Sequence, residues 1–172
     1  MASPFDLTTG EVASFEGSLY RFTELAGPLR LCRFGDSSRG AQSRTGRFWL
    51  YASELKELLE RSWSLKSLLK KASQRWAISD DWGDMELVWF MDIPRGVSIP
   101  AAWGAAKFQP KVSNKGQQGG SRQTRHSYEG GSIQLIVPVK DTDGREDGFL
   151  LSLVSGPIPV ANLRANPDRL VR

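Results

Sequence analysis

Few side chains in this 172-residue sequence are suited to chemistry. His126 is the single histidine and Cys32 the single cysteine. One histidine removes most forms of a serine or cysteine triad, and one cysteine removes an internal disulfide and a zinc cluster, so no metal site is expected. Acid and base roles are left to carboxylates, with His126 either a loop histidine or a base. Two other features stand out. The stretch EGGSIQLIVP (129–138) carries one amide, Gln134, among Ile133, Leu135, Ile136 and Val137, directly after two glycines. Arg21 in SLYRF and Arg33 in LCRFG place a guanidinium within strand-like segments, where an anion could be gripped by a planar fork of donors.

The elements that must position these residues follow from the hydrophobic pattern. SLYRF (18–22) and LRLCRF (29–34) read as two consecutive strands around Ala26-Gly27-Pro28, and the aromatic run RFWLYA (47–52) reads as a third. Between them GDSSRGAQSRTG (35–46) is small and polar, a loop. Ser53 is placed to cap a helix, with Leu55, Leu58, Leu59, Leu65, Leu68, Leu69, Ala72 and Trp76 at helical spacing. This predicts one main helical segment near residues 53–76, with Ser62 or Ser64 marking any break. ELVWFMDIP (86–94) is a strong strand stopped by Pro94, and VSIPAAWGAAKF continues the sheet. Residues 111–131 hold only Val112 and Tyr128 as large apolar groups, which predicts a long mobile loop. SIQLIVPV and FLLSLV around Asp143-Gly144 predict a hairpin, and the chain then closes with an extended piece and a turn. Strands, one helical segment and then several strands imply α+β, and the length suits one domain over 1–172.

A net charge of +4 and a pI near 9.4 favour acidic partners without identifying nucleic acid as one. The N-terminus lacks a basic region followed by an apolar run, and no stretch approaches a membrane span, which implies a soluble chain with no membrane partner.

In chain order, LCRFG, TGRFWLYAS (45–53) and EGGSIQLIVP resemble the mono-ADP-ribosyltransferase toxins of the bacterial polymorphic-toxin type, and more distantly the necrotizing-toxin type of NAD glycohydrolases. The resemblance spans roughly residues 19–140, and IPRGVSIPAAWGAAKFQP (93–110) is similar to the family's segment leading to the catalytic strand. It implies a split β-sheet core that binds NAD as substrate with no metal. It further implies that Arg33, or alternatively Arg21, contacts the phosphates and ribose. Phe48, Tyr51 and Ser53 lie on or beside the aromatic strand that props the nicotinamide pocket, Ser53 or Tyr51 matching its serine position. Gln134 stands where the family carries a catalytic glutamate, and Ser132 where the acceptor is selected. Cleavage of the nicotinamide–ribose bond develops oxocarbenium charge that a carboxylate stabilises, whereas an amide only hydrogen-bonds the ribose hydroxyl. Glu129 either supplies the missing negative charge or offsets Arg125 in a solvated loop.

The resemblance implies a toxin or effector, secreted or delivered into a target-cell cytoplasm, that transfers ADP-ribose to a macromolecular acceptor: a protein or a nucleic acid, RNA or DNA. An immunity protein is the matching partner. Water as acceptor would make it an NAD glycohydrolase. From another class, a basic nucleic-acid-binding module would use the arginines of 35–47 and 111–125 on phosphates and a tryptophan on a base. Trp49, Trp89 and Trp103, each in an apolar stretch, read as core residues.

Overall fold

The computed structural model describes residues 3–78, 84–107, 109–112, 123–128 and 130–170. Among the described residues nine strands and five short α-helices, with a few 3-10 turns, form an α+β arrangement around one seven-stranded sheet whose strand pairs are all antiparallel. The strands are β1 (Arg21–Ala26), β2 (Leu29–Gly35), β3 (Phe48–Tyr51), β4 (Leu87–Ile93), β5 (Ser98–Ala105), β6 (Gln109–Val112), β7 (Gln123–Tyr128), β8 (Ile133–Ile136) and β9 (Val154–Pro159). The main sheet runs β1-β5-β8-β3-β2-β4-β9, and β6 and β7 form a separate pair. The helices are α1 (Thr9–Ala13), α2 (Ala52–Glu60), α3 (Leu65–Arg75), α4 (Gly148–Ser152) and α5 (Val160–Ala165). Among the described residues no helix is long and apolar enough to cross a membrane.

Alternation along the strands puts a separate apolar cluster on each face of the sheet. On one face Cys32, Phe34, Leu50, Val88 and Phe90 pack under α2 and α3 through Leu55, Leu59, Leu68 and Trp76. The other face buries Leu31, Trp49, Trp89, Met91, Leu135 and Val137 against Leu150 and Leu151 of α4. Trp49 and Trp89 are therefore core residues, while Trp103 is partly buried at the edge of the same cluster. A third, smaller cluster gathers Phe15, Ala102 and Ile136 where the N-terminal segment lies over β5 and β8.

Three sequence expectations are corrected: the Ser53 cap, the loop at 111–131 and the strand at FLLSLV. The helical segment at 53–76 is two helices, broken at Ser64 of the two serines offered: α2 ends at Glu60 with Arg61 as its C-cap, and Ser64 caps α3 by accepting a hydrogen bond from the Ser67 amide at 3.0 Å. Ser53 caps nothing, because the N-cap of α2 is Tyr51, which forms no side-chain bond there. The expected loop at 111–131 instead contributes β7 and the end of β6, paired from Gln109↔Tyr128 to Val112↔Gln123; backbone pairing does not need the apolar side chains on which the loop expectation rested. FLLSLV is not a strand. Asp147 accepts a hydrogen bond from the Leu150 amide at 2.9 Å, and this cap turns Gly148–Ser152 into α4. The two strands expected around Ala26-Gly27-Pro28 are β1 and β2, consecutive in sequence and not paired with each other: β1 joins β5 at the sheet edge, while β2 lies between β3 and β4.

Candidate functional site

The sheet parts between β2 and β3. Along its other side β2 pairs with β4 at seven successive positions, Leu29↔Ile93 to Gly35↔Leu87. Toward β3 it pairs only at Leu31↔Tyr51 and Cys32↔Leu50. Beyond Cys32 the two strands separate, and β3 continues its pairing with β8 on the far side through Phe48↔Ile136 and Trp49↔Leu135. At this parting lies a cavity of about 330 Å³, lined by Arg33, Phe34 and Gly35 of β2, Arg39, Phe48 and Leu50 of β3, Trp76, Ile78, Met85 and Gln134 of β8.

Arg33 enters the gap. Its guanidinium packs against the backbone of Gly46, where an added Cβ would fall 1.7 Å from Nη1, and it lies over the Trp49 ring at 5.8 Å. Arg33 as a residue is partly exposed, yet its Nε and Nη1 are buried and have no hydrogen-bond partner among the described residues. Burial pushes its pKa down to about 10. Trp49 Nε1, also buried, likewise lacks a partner among them. A desolvated cation with no ion pair among the described residues, in the wall of a cavity, is suited to an anionic ligand. Arg39 adds a second guanidinium at the rim, mostly exposed and 3.6 Å from Asp36.

Gln134 lies opposite in chemistry. It is 4 % exposed and shares its strand face with Ile136, on the side covered by the N-terminal segment. Its Nε2 donates to the Ser14 Oγ at 2.7 Å and to the Ser14 carbonyl at 3.2 Å. The carbonyl oxygen Oε1 is the atom Ser14 does not use. A buried amide in this strand is thus a satisfied hydrogen-bonding group that also lines a cavity.

Of the expected site residues, Arg33, Phe48 and Gln134 come together in the cavity wall. Arg21 does not; it is exposed on edge strand β1, with β5, β8 and β3 between it and β2. Tyr51 faces the opposite cluster with Trp49, and burial first, then the Glu54 charge, raises its pKa. Ser53 is exposed on α2. Ser132 does not line the cavity: its Oγ accepts from Arg75 Nε at 2.9 Å, and its backbone joins Ala106 and Arg75. Glu129 lies outside the described residues. Gly130 and Gly131 have φ of 68° and 84°, and their amides bond the Gln74 and Ala106 carbonyls. These glycines serve a left-handed backbone that docks β8 beside α3 rather than a close approach to a ligand.

Trp76, legible in the sequence only as part of the helical pattern, also lines the cavity. Trp76 donates from Nε1 to Glu54 at 3.2 Å, and Arg75 lies over its ring at 5.5 Å. Burial raises the Glu54 pKa, against the opposing effects of the Trp76 hydrogen bond and the Arg75 charge. Gly46, against which the Arg33 guanidinium packs, was legible only as the last residue of the polar loop before RFWLYA. No carboxylate lines the cavity among the described residues, and no group of three or more metal-ligating side chains stands together among them. No protein-family model, curated protein or solved structure matches the chain.

Proposed function

We propose that this chain is an NAD-consuming enzyme with an ADP-ribosyltransferase-like split sheet, acting as a toxin or effector. The observation that carries the reading is the cavity at the parting of β2 and β3, which has the Arg33 guanidinium, its Nε and Nη1 without a partner among the described residues, and the amide of Gln134 in its lining. Arg33, with Arg39 at the rim, suits a diphosphate. The rings of Phe34, Phe48 and Trp76 suit the flat nicotinamide, and Gln134 Oε1 suits a ribose hydroxyl. The volume lies at the small end of the roughly 300–1,000 Å³ of ligand pockets, which fits the nicotinamide riboside end with the adenosine outside.

In the reaction the bond between ribose C1′ and the nicotinamide nitrogen breaks, and its electron pair leaves with nicotinamide. The acceptor then forms the new bond to C1′ and gives up a proton. Gln134 holds the ribose while positive charge develops, and the dipole of Oε1 stabilises that charge less than a carboxylate would. The macromolecular acceptor is a protein or a nucleic acid. One observation favours water instead: the Ser132 hydroxyl, expected at the acceptor position, is engaged by Arg75 outside the cavity wall.

Purified protein incubated with NAD should release nicotinamide, and Arg33→Ala and Gln134→Ala should each lower the rate at least about tenfold. Labelled NAD that marks lysate macromolecules indicates transfer, and loss of NAD without marking indicates hydrolysis. A wild type inert with both water and lysate, or variants with unchanged turnover, would refute the proposal.

A further inference from the structure

The partners of Gln134 accept and do not donate. A backbone carbonyl cannot donate, and the Ser14 carbonyl stands 3.2 Å from the Gln134 side chain. Ser14 Oγ, 2.7 Å away, already gives its hydrogen to the Glu11 carbonyl at 2.6 Å, so toward Gln134 it can only accept. Both positions therefore demand N–H, and only one orientation of the carboxamide supplies two. The nitrogen is fixed on Ser14, and Oε1 is what Gln134 has left for the cavity it lines.

Three features bring Ser14 to this position. Thr8 and Glu11 cap α1 reciprocally, the Glu11 amide lying 3.2 Å from Thr8 Oγ1 and the Thr8 amide 2.8 Å from Glu11 Oε2. Glu11 Oε1 lies 3.2 Å from Nε of the buried Arg47, which precedes β3; the N–H is not aimed along that line, so this is a charge pair more than a hydrogen bond. On β5, Gly104 pairs with Gln134, and a Cβ there would stand 2.6 Å from both the Leu19 carbonyl and the Phe15 ring. Only a residue without a side chain lets the segment after α1 lie so close to the strand.

We propose that Ser14 is a positioning residue that holds Gln134 as an amide with Oε1 presented, so that the ligand group meeting it is a hydrogen-bond donor such as a ribose hydroxyl. The position is built for an amide and rejects the carboxylate of a glutamate. An ionised glutamate would turn acceptors toward two acceptors, so a glutamate here must stay protonated; the neutral acid gives Ser14 its one O–H, one donor fewer than the amide, and presents its carbonyl as the amide does. This inference rests on the cavity being the ligand site.

The test compares wild type, Gln134→Glu and Ser14→Ala by thermal melts without ligand and by nicotinamide release, from pH 5 to 8. A glutamate carboxyl raised above its unfolded value near 4.3 contributes stability that is complete below that value and is lost as pH climbs to the folded value. Gln134→Glu should therefore melt close to wild type at pH 5 and at least about 4 °C further below it at pH 8. Its nicotinamide release should fall over the same range while that of wild type stays level. Ser14→Ala should lower kcat about tenfold with KM changed less than about twofold. A Gln134→Glu protein that keeps a pH-independent melting difference, releases nicotinamide as fast at pH 8 as at pH 5, or fails to fold at both, overturns the inference. If wild type releases no nicotinamide, the proposed function fails, and the ligand-free melts still decide whether the position is built for an amide.

Discussion

Replacing Arg33 with methionine should stabilise the free protein and abolish its response to NAD. Burial disfavours the charged form and pushes the guanidinium pKa down from its usual value to about 10. A value lowered by folding means that stability present above the ordinary arginine value is lost as pH falls through about 10, so at neutral pH the protein carries the whole penalty. At about 1.36 kcal/mol per pH unit the gap corresponds to about 3 kcal/mol. The contact with the Trp49 ring at 5.8 Å offsets about 1 kcal/mol of this, and methionine keeps an unbranched stem of similar volume in the gap beside Gly46. A net gain of about 2 kcal/mol remains, which raises Tm by roughly 4–8 °C in a domain of this size. Wild type should gain about 2.7 kcal/mol from NAD at a hundred times its dissociation constant. Scanning fluorimetry at pH 7.5, with and without NAD, reads both effects. An Arg33→Met protein that melts below wild type, or that keeps the wild-type shift with NAD, would show that the guanidinium is neither an uncompensated charge nor the ligand anchor.

Three other outcomes follow from the same geometry. Gly46→Ala puts a Cβ into the Arg33 guanidinium and should cost about 1–3 kcal/mol, whereas in the Arg33→Met background the loss should shrink by more than half, a non-additivity read from denaturant melts. Burial holds the folded-state pKa of Glu54 above its usual value, so its contribution to stability is complete below about pH 4.5 and is lost as pH rises through the folded value. Glu54→Gln, which can still accept from Trp76, should thus gain in Tm relative to wild type between pH 4 and pH 7; a difference flat in pH contradicts this. Cys32, fully buried and with its thiol pushed up first by burial and then by the Glu54 charge, should resist a thiol reagent in native buffer and react stoichiometrically in denaturant.

What the sequence made legible was local. ELVWFMDIP and RFWLYA read as strands because β-branched and aromatic residues alternate into two apolar clusters, and the same alternation marked Gln134 as the odd member of β8. The partners of these residues were not legible, since Ser14 meets Gln134 across 120 positions of chain and nothing near either residue encodes the other. The same limit applies to FLLS, where a single aspartate cap outweighs a strand-like run, and to β6 and β7, whose pairing runs through backbone groups. The strand order that sets β3 between Arg33 and Gln134 likewise has no local signature. Yet the parting itself has a local cause. Extending the Leu31↔Tyr51 and Cys32↔Leu50 ladder by one pair would set Arg33 against Trp49, and the guanidinium already occupies that space, pressed on Gly46. Closing the seam would require that charge to be buried more deeply without a counter-ion, which costs more than one ladder pair contributes. The residue proposed to bind the ligand is therefore also the wedge that keeps the cavity open, so a neutral side chain small enough to let β2 and β3 close should remove the cavity along with the charge.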